Sequence, residues 1–197
     1  MTHKSLAFHY ASLFWLMGFI LAYWPRWLQT RGFDGAEIGL ILAAAIWAKL
    51  PLNVLLTTLS EQGTGRKPLI KHLALFATLC MPLFLLSHAF SVYIVLWAVC
   101  GAAITAMIPL TDSLAVTLQR SESLNYGRLR LWGSLSFIAA TIAGGWVLGE
   151  IGVEHTLALM MIGAVGLMMT GRSLPDLQPS PARRGRSQSR LLLQQPQ

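Results

Sequence analysis

The sequence predicts an all-α membrane protein of six transmembrane helices, arranged as two consecutive three-helix units. Three observations lead there. The 197 residues are 54% hydrophobic and only 12% charged, with a mean hydropathy of +0.56, whereas soluble domains run at roughly 45–50% apolar and about 25% charged. So little charge on so apolar a chain excludes a water-soluble enzyme or binding module. The apolar residues also fall into six separate segments, each close to the roughly 20 residues that a span requires. Finally, the basic residues concentrate in alternate connections, the asymmetry that fixes orientation in a bilayer. The net charge of +7 therefore reports topology, and no nucleic-acid partner is expected.

The first segment runs from about Leu6 to Leu28. It is too long for a secretory signal and ends in Trp24-Pro25-Arg26-Trp27 rather than in a small-residue cleavage site. The others cover about Ala36 to Leu59, Pro68 to Ser87, Val92 to Leu118, Leu131 to Leu148 and Thr156 to Thr170. With the N-terminus in the cytoplasm, the inner segments collect Lys4, Arg66, Lys67, Lys71, Arg120, Arg128, Arg130, Arg172, Arg183, Arg184, Arg186 and Arg190. Arg26 and Arg31 remain outside, and Lys49 lies within a span. Both termini are thus expected in the cytoplasm. Residues 1–172 form the expected six-helix domain. Residues 173–197 turn to Pro, Ser, Arg and Gln, as in Pro179-Ser-Pro-Ala-Arg-Arg-Gly-Arg186. They read as a disordered basic cytoplasmic linker leading to a second half that is not in the chain.

In lipid, polar side chains mark the helix face turned toward protein or a watery cavity. Lys49, Asn53, Thr57 and Ser60 share one face of the second helix, and Thr105, Asp112 and Gln119 recur every seven residues on the fourth. Arg130, Ser134, Phe137 and Thr141 line one face of the fifth, and His9, Ser12, Tyr23 and Arg26 a broader face of the first. The third and sixth carry no such stripe and are expected to face lipid. The pattern of two inner helices and one outer thus occurs twice, and each triplet opens with a proline-containing helix, at Pro25 and Pro109. Repeated triplets around a polar path are what a secondary transporter requires. A six-helix partner protein without transport activity is the competing reading. Mid-span Lys49 and Asp112 weigh against it, since a charge there costs about 2.5–3.5 kcal/mol.

Two connections carry a resemblance. Leu59-Ser-Glu-Gln-Gly-Thr-Gly-Arg-Lys67 resembles the loop signature of the major facilitator superfamily, with Glu61 at its acid and Arg66 and Lys67 at its basic pair. Thr57 and Thr64 stand at its glycines and Gln62 at a basic position. Pro109-Leu-Thr-Asp112, followed by Asn125-Tyr-Gly-Arg-Leu-Arg-Leu-Trp-Gly-Ser134, resembles the phenylpropionate permease group and, more distantly, the lactose permease family of proton symporters. The resemblance covers about residues 6 to 172. It implies the N-terminal half of a twelve-helix fold and a transporter of small organic solutes, most simply an aromatic acid such as phenylpropionate. A sugar/proton symporter is the alternative. It further implies that Asp112 and Arg130 bind substrate or proton and that Phe137 stacks on substrate, where lactose permease has tryptophan.

An aspartate beside an arginine keeps its charge, and takes up a proton once that partner is drawn away in a dry cavity. That is a physical basis for proton coupling, with a permanent structural ion pair as the plainer alternative. Lys49 and Asn53 offer further polar groups, and Tyr23 and Trp15 aromatic surface. Lys49 could instead snorkel to the headgroups. Glu61, Arg66, Lys67 and Arg128 suit a cytoplasmic gate, or act only as orienting charges. The proton is the expected coupling ion. Cys80 and Cys100 sit in apolar runs, the histidines are scattered and no catalytic motif occurs, so no cofactor, metal or enzymatic activity is expected. The expected partners are a small-molecule substrate, the lipid bilayer, and a second six-helix half or a second copy of the chain.

Overall fold

The structure is a computed structural model that describes residues 2–60, 64–121 and 125–175. Six long helices make up the described chain: α1 Thr2–Thr30, α2 Gly35–Leu59, α3 Arg66–Cys80, α4 Phe90–Ser121, α5 Tyr126–Ile151 and α6 Thr156–Arg172. Short 3₁₀ turns at Met81–Leu85 and Val153–His155 extend α3 and lead into α6. All six segments are long and apolar enough to cross a membrane, and their bounds agree with the sequence reading to within a turn or so. The linker expected over 173–197 lies outside the described residues beyond Pro175.

Local chemistry explains the helix ends. Asp34 caps α2, accepting from the Glu37 amide at 2.8 Å while the Glu37 carboxylate accepts from the Asp34 amide at 3.0 Å. This reciprocal pair satisfies two amides that the first turn leaves unbonded. Asn125 caps α5 by accepting from the Arg128 amide at 3.1 Å. Gly152 ends α5 at φ +96°, a left-handed conformation that costs glycine little. Pro25 and Pro109 both lie inside helices, and α2 carries a third proline, Pro51, that the repeat did not anticipate.

The packing order reveals the repeat. α1 packs chiefly on α5 and α6, and α4 packs chiefly on α2 and α3, while α3 meets α6. Exchanging the first triplet for the second maps this arrangement onto itself. The closest approaches obey the same exchange. A Cβ added at Gly18 of α1 would lie 2.9 Å from Ala140 Cβ of α5, and one at Gly101 of α4 would lie 2.9 Å from Ala45 Cβ of α2. Small residues let backbones approach where no hydrophobic force between helices acts in lipid.

The expected lipid-facing pair, α3 and α6, presents exposed apolar side chains such as Leu79 and Ile162. They back the bundle against each other, tied where the Thr78 hydroxyl of α3 reaches the Ala164 carbonyl of α6 at 3.1 Å. The flanking helices α2 and α5 are the more exposed, because each leans mainly on one neighbour. Trp47 on α2 and Trp146 on α5 stand 70% and 74% exposed. At the end opposite Thr2, Trp24, Trp27, Phe84, Tyr93 and Trp97 form a buried aromatic cluster joining α1, the 3₁₀ turn and α4, with Trp24 and Trp97 rings 4.6 Å apart. Arg31 lies 5.3 Å from the Trp27 ring and donates to the Tyr93 hydroxyl at 3.0 Å.

Candidate functional site

The polar centre lies where α1, α4 and α5 meet. Arg130 Nη1 of α5 donates to both carboxylate oxygens of Asp112 on α4, at 2.7 and 2.6 Å. It is the ion pair found among the described residues. Tyr10 of α1 donates its hydroxyl to the same carboxylate at 2.7 Å. Tyr126, one turn before Arg130, accepts from Nη1 at 3.3 Å, the i, i+4 neighbour relation that a helix provides. The guanidinium carbon sits 5.3 Å from the Phe14 ring, within cation–π range. Phe14 packs against Gly133 of α5, which leaves room for the ring beneath the arginine. The two charged side chains are 39% and 27% exposed, so the pair borders an open space. Among the described residues, no hydrogen bond engages Arg130 Nε or Nη2.

Three of these partners went unnoticed in the sequence. Tyr10, Phe14 and Tyr126 carry the spacing of a helical neighbour, Tyr10 to Phe14 and Tyr126 to Arg130, but nothing in α1 alone reveals which of its aromatic faces meets α4. His9, which lies on the broader face of α1 and reads from the sequence as a packed helix residue, is packed. It is fully buried against α6, where its Nδ1 lies 3.3 Å from the Thr170 hydroxyl. That hydroxyl also reaches the Gly166 carbonyl at 3.0 Å.

The remaining candidates are distributed elsewhere. Asn53, Thr57, Ser60, Arg66 and Ser113 line a second, smaller cavity of about 310 Å3 between α2, the start of α3 and α4. Arg66 is held there by a 3.3 Å hydrogen bond to Thr117 of α4. Lys49, one turn from Asn53 along α2, is half-buried but does not line this cavity. Tyr23 donates to the Thr141 carbonyl and packs over Gly144 and Gly145, so its hydroxyl is engaged in holding α1 to α5. Phe137 is half-buried about 10 Å along α5 from Arg130, seven residues at 1.5 Å each. Lys67 is half-buried at the start of α3, and Glu61 lies outside the described residues. Arg128 is not brought to Arg66: it lines a separate groove with Lys4 of α1.

The chain has known relatives. The profile of the MFS_1 like family matches residues 3–182. A probable 3-phenylpropionic acid transporter of Escherichia coli (strain K12) is 27% identical over 181 residues, covering 92% of this chain and 48% of that protein. A maltose permease of Geobacillus stearothermophilus is 30% identical over 168 residues, covering 80% of this chain and 41% of that protein. The crystal structure of the nucleoside transporter NupG superposes with a TM-score of 0.79 at 18% identity, over 97% of this chain and 48% of that one. A mutant form of NupG superposes with a TM-score of 0.82. The chain spans about half the length of the curated relatives it matches, and its fold is the one found in half of NupG.

Proposed function

The chain belongs to the MFS_1 like family, and on that premise we propose that it forms the N-terminal six-helix half of a proton-coupled secondary transporter for small aromatic acids. It acts with a second six-helix half in a bacterial inner membrane, both termini in the cytoplasm. One observation carries the substrate reading. Arg130 commits Nη1 to Asp112 and Tyr126, while its other guanidinium edge is unengaged among the described residues beside the Phe14 ring. A carboxylate fits that edge, because guanidinium presents paired N–H donors in the geometry carboxylates accept. An aromatic substituent then lies along Phe14. A relative named for 3-phenylpropionic acid supports the same chemistry.

Coupling follows from the shared arginine. A substrate carboxylate seated on the other edge of the guanidinium draws it away from Asp112, and the aspartate so released takes up the proton. Tyr10 keeps the carboxylate oriented in both conditions. Arg66 and Lys67 act at the Thr2 end of the bundle, where Arg66 latches α3 to α4, and Lys49 and Asn53 supply polar wall on α2. Phe137 and Tyr23 serve as aromatic wall and helix contact.

Uptake by cells producing the chain joined to a C-terminal six-helix half is the test. Labelled 3-phenylpropionate should accumulate, and Arg130→Gln should weaken its apparent affinity at least about tenfold, the scale of a charge-assisted hydrogen bond of about 1.5–3 kcal/mol. Accumulation of maltose with no effect of the acid would favour the sugar symporter, the reading suggested by the maltose permease relative.

A further inference from the structure

A groove of about 710 Å3 separates the first turns of α1 and α5 on the side turned away from Asp112 and Arg130. Two parallel motifs line it. On α1, Lys4 is followed one turn deeper by Phe8; on α5, Arg128 is followed one turn deeper by Trp132. His3, Ala7 and Ala11 of α1 also line it, with Asn125 and Leu129 on the other wall. Phe8 and Trp132 are 66% and 58% exposed. The groove does not belong to the central site. Arg128 and Trp132 each stand two residues from Arg130, and Phe8 two residues from Tyr10, which is about 200° around a helix in every case.

The chemistry is layered. The two cations lie in the third residue of their helices, at the level where a spanning helix meets the headgroups. The aromatic rings sit about 6 Å deeper, one turn at 1.5 Å per residue, where the ester and upper acyl region begins. Among the described residues neither cation has an acidic partner, and the acid on the α4 side, Asp112, is taken by Arg130. Orienting charges alone need no apolar channel beneath them, whereas here each is continued by a ring along one groove.

We infer that this groove binds one anionic phospholipid, with its phosphate between Lys4 and Arg128 and an acyl chain against Phe8 and Trp132. Charge complementarity selects the lipid, because Lys and Arg near a membrane surface attract anionic headgroups. A segment of a second protein half would instead need an acid at that depth and would bury Trp132.

The test uses the full chain in nanodiscs, with brominated phosphatidylglycerol or brominated phosphatidylcholine as the quencher of tryptophan fluorescence. Phosphatidylglycerol should quench at about a thirtieth of the concentration that phosphatidylcholine needs, the selectivity expected of two cations. Trp132→Phe should remove that difference, and so should Lys4→Gln with Arg128→Gln, while Lys4→Arg with Arg128→Lys retains it and Lys71→Gln leaves it unchanged. Equal quenching by the two lipids overturns the site, as does anionic selectivity that survives Lys4→Gln with Arg128→Gln. Loss of the selectivity on adding inorganic phosphate at a few millimolar would show a free-anion site and overturn the lipid assignment. Shielding of Trp132 from both lipids once a second six-helix half is supplied would assign the groove to protein contact and also overturn it.

Discussion

Asp112 is held by two neighbours from two different helices, Tyr10 and Arg130, so its replacement tests more than a charge. Asp112→Asn keeps a hydrogen-bond acceptor but leaves Arg130 without its counter-charge. Removing one member of a fully buried pair costs about 3–5 kcal/mol, and exposed pairs contribute about 0.2–1 kcal/mol. Since this pair is partly exposed, a loss on the order of 1–2 kcal/mol lies between those limits. Combining Asp112→Asn with Arg130→Gln should recover part of it, read as a non-additive shift in thermal unfolding of the detergent-solubilised chain. Additive losses would mean that the two groups do not interact energetically. Tyr10→Phe removes one hydroxyl without changing the ring, and should cost about 1 kcal/mol in the same measurement. No effect would place the Tyr10 contact outside the energetics of the site.

Among the elements, the paired crossings of α1 with α5 and of α4 with α2 set the spacing of the bundle. Each depends on a glycine facing an alanine: Gly18 on Ala140, and Gly101 on Ala45. Gly18→Leu and Gly101→Leu must each drive two backbones apart, at about 1–3 kcal/mol as for other overpacked sites. Gly166 on α6 has nothing within 4 Å of an added Cβ, so Gly166→Ala should not destabilise the chain and should gain up to about 0.5–1 kcal/mol of helix propensity. Thermal unfolding of the three variants distinguishes the crossings from an ordinary helix surface. A Gly18→Leu chain as stable as Gly166→Ala would remove the close approach from the account. At the other end, the Trp24–Trp97 stack belongs to a rigid block that fixes α1 to α4.

At the scale of the molecule, the exposed apolar faces of α2 and α5, with Trp47 and Trp146 the most prominent, flank the wall that bears the ion pair. That arrangement suits one half of a two-half transporter, in which rocking of the halves alternates access to a central site. The purified chain in proteoliposomes should therefore fail to accumulate 3-phenylpropionate under an imposed proton gradient. Robust gradient-driven uptake would mean that two copies suffice. The expected orientation is tested independently: a C-terminal reporter active only outside the cytoplasm should remain silent, and a strong signal would reverse the topology.

The sequence by itself determined the six spans, their limits and the charge asymmetry. Insertion is decided segment by segment, through the hydropathy of about 20 neighbouring residues. It also exposed Asp112, because a charge inside an apolar run stands out without any knowledge of its neighbours. Arg130, in contrast, lies just before the fifth apolar run and is marked by the resemblance of its motif. Only the tertiary structure decided which helices touch, that α3 and α6 back the bundle, and that Tyr10 reaches the ion pair. It also separated the α2 stripe of Asn53, Thr57 and Ser60, grouped with Arg66, from the centre at Asp112. The reason lies in the solvent. Lipid is as apolar as the side chains it meets, so hydrophobic periodicity does not say which face of a spanning helix turns inward. That choice falls to close fits such as Gly18 on Ala140 and Gly101 on Ala45, whose partners lie in distant segments.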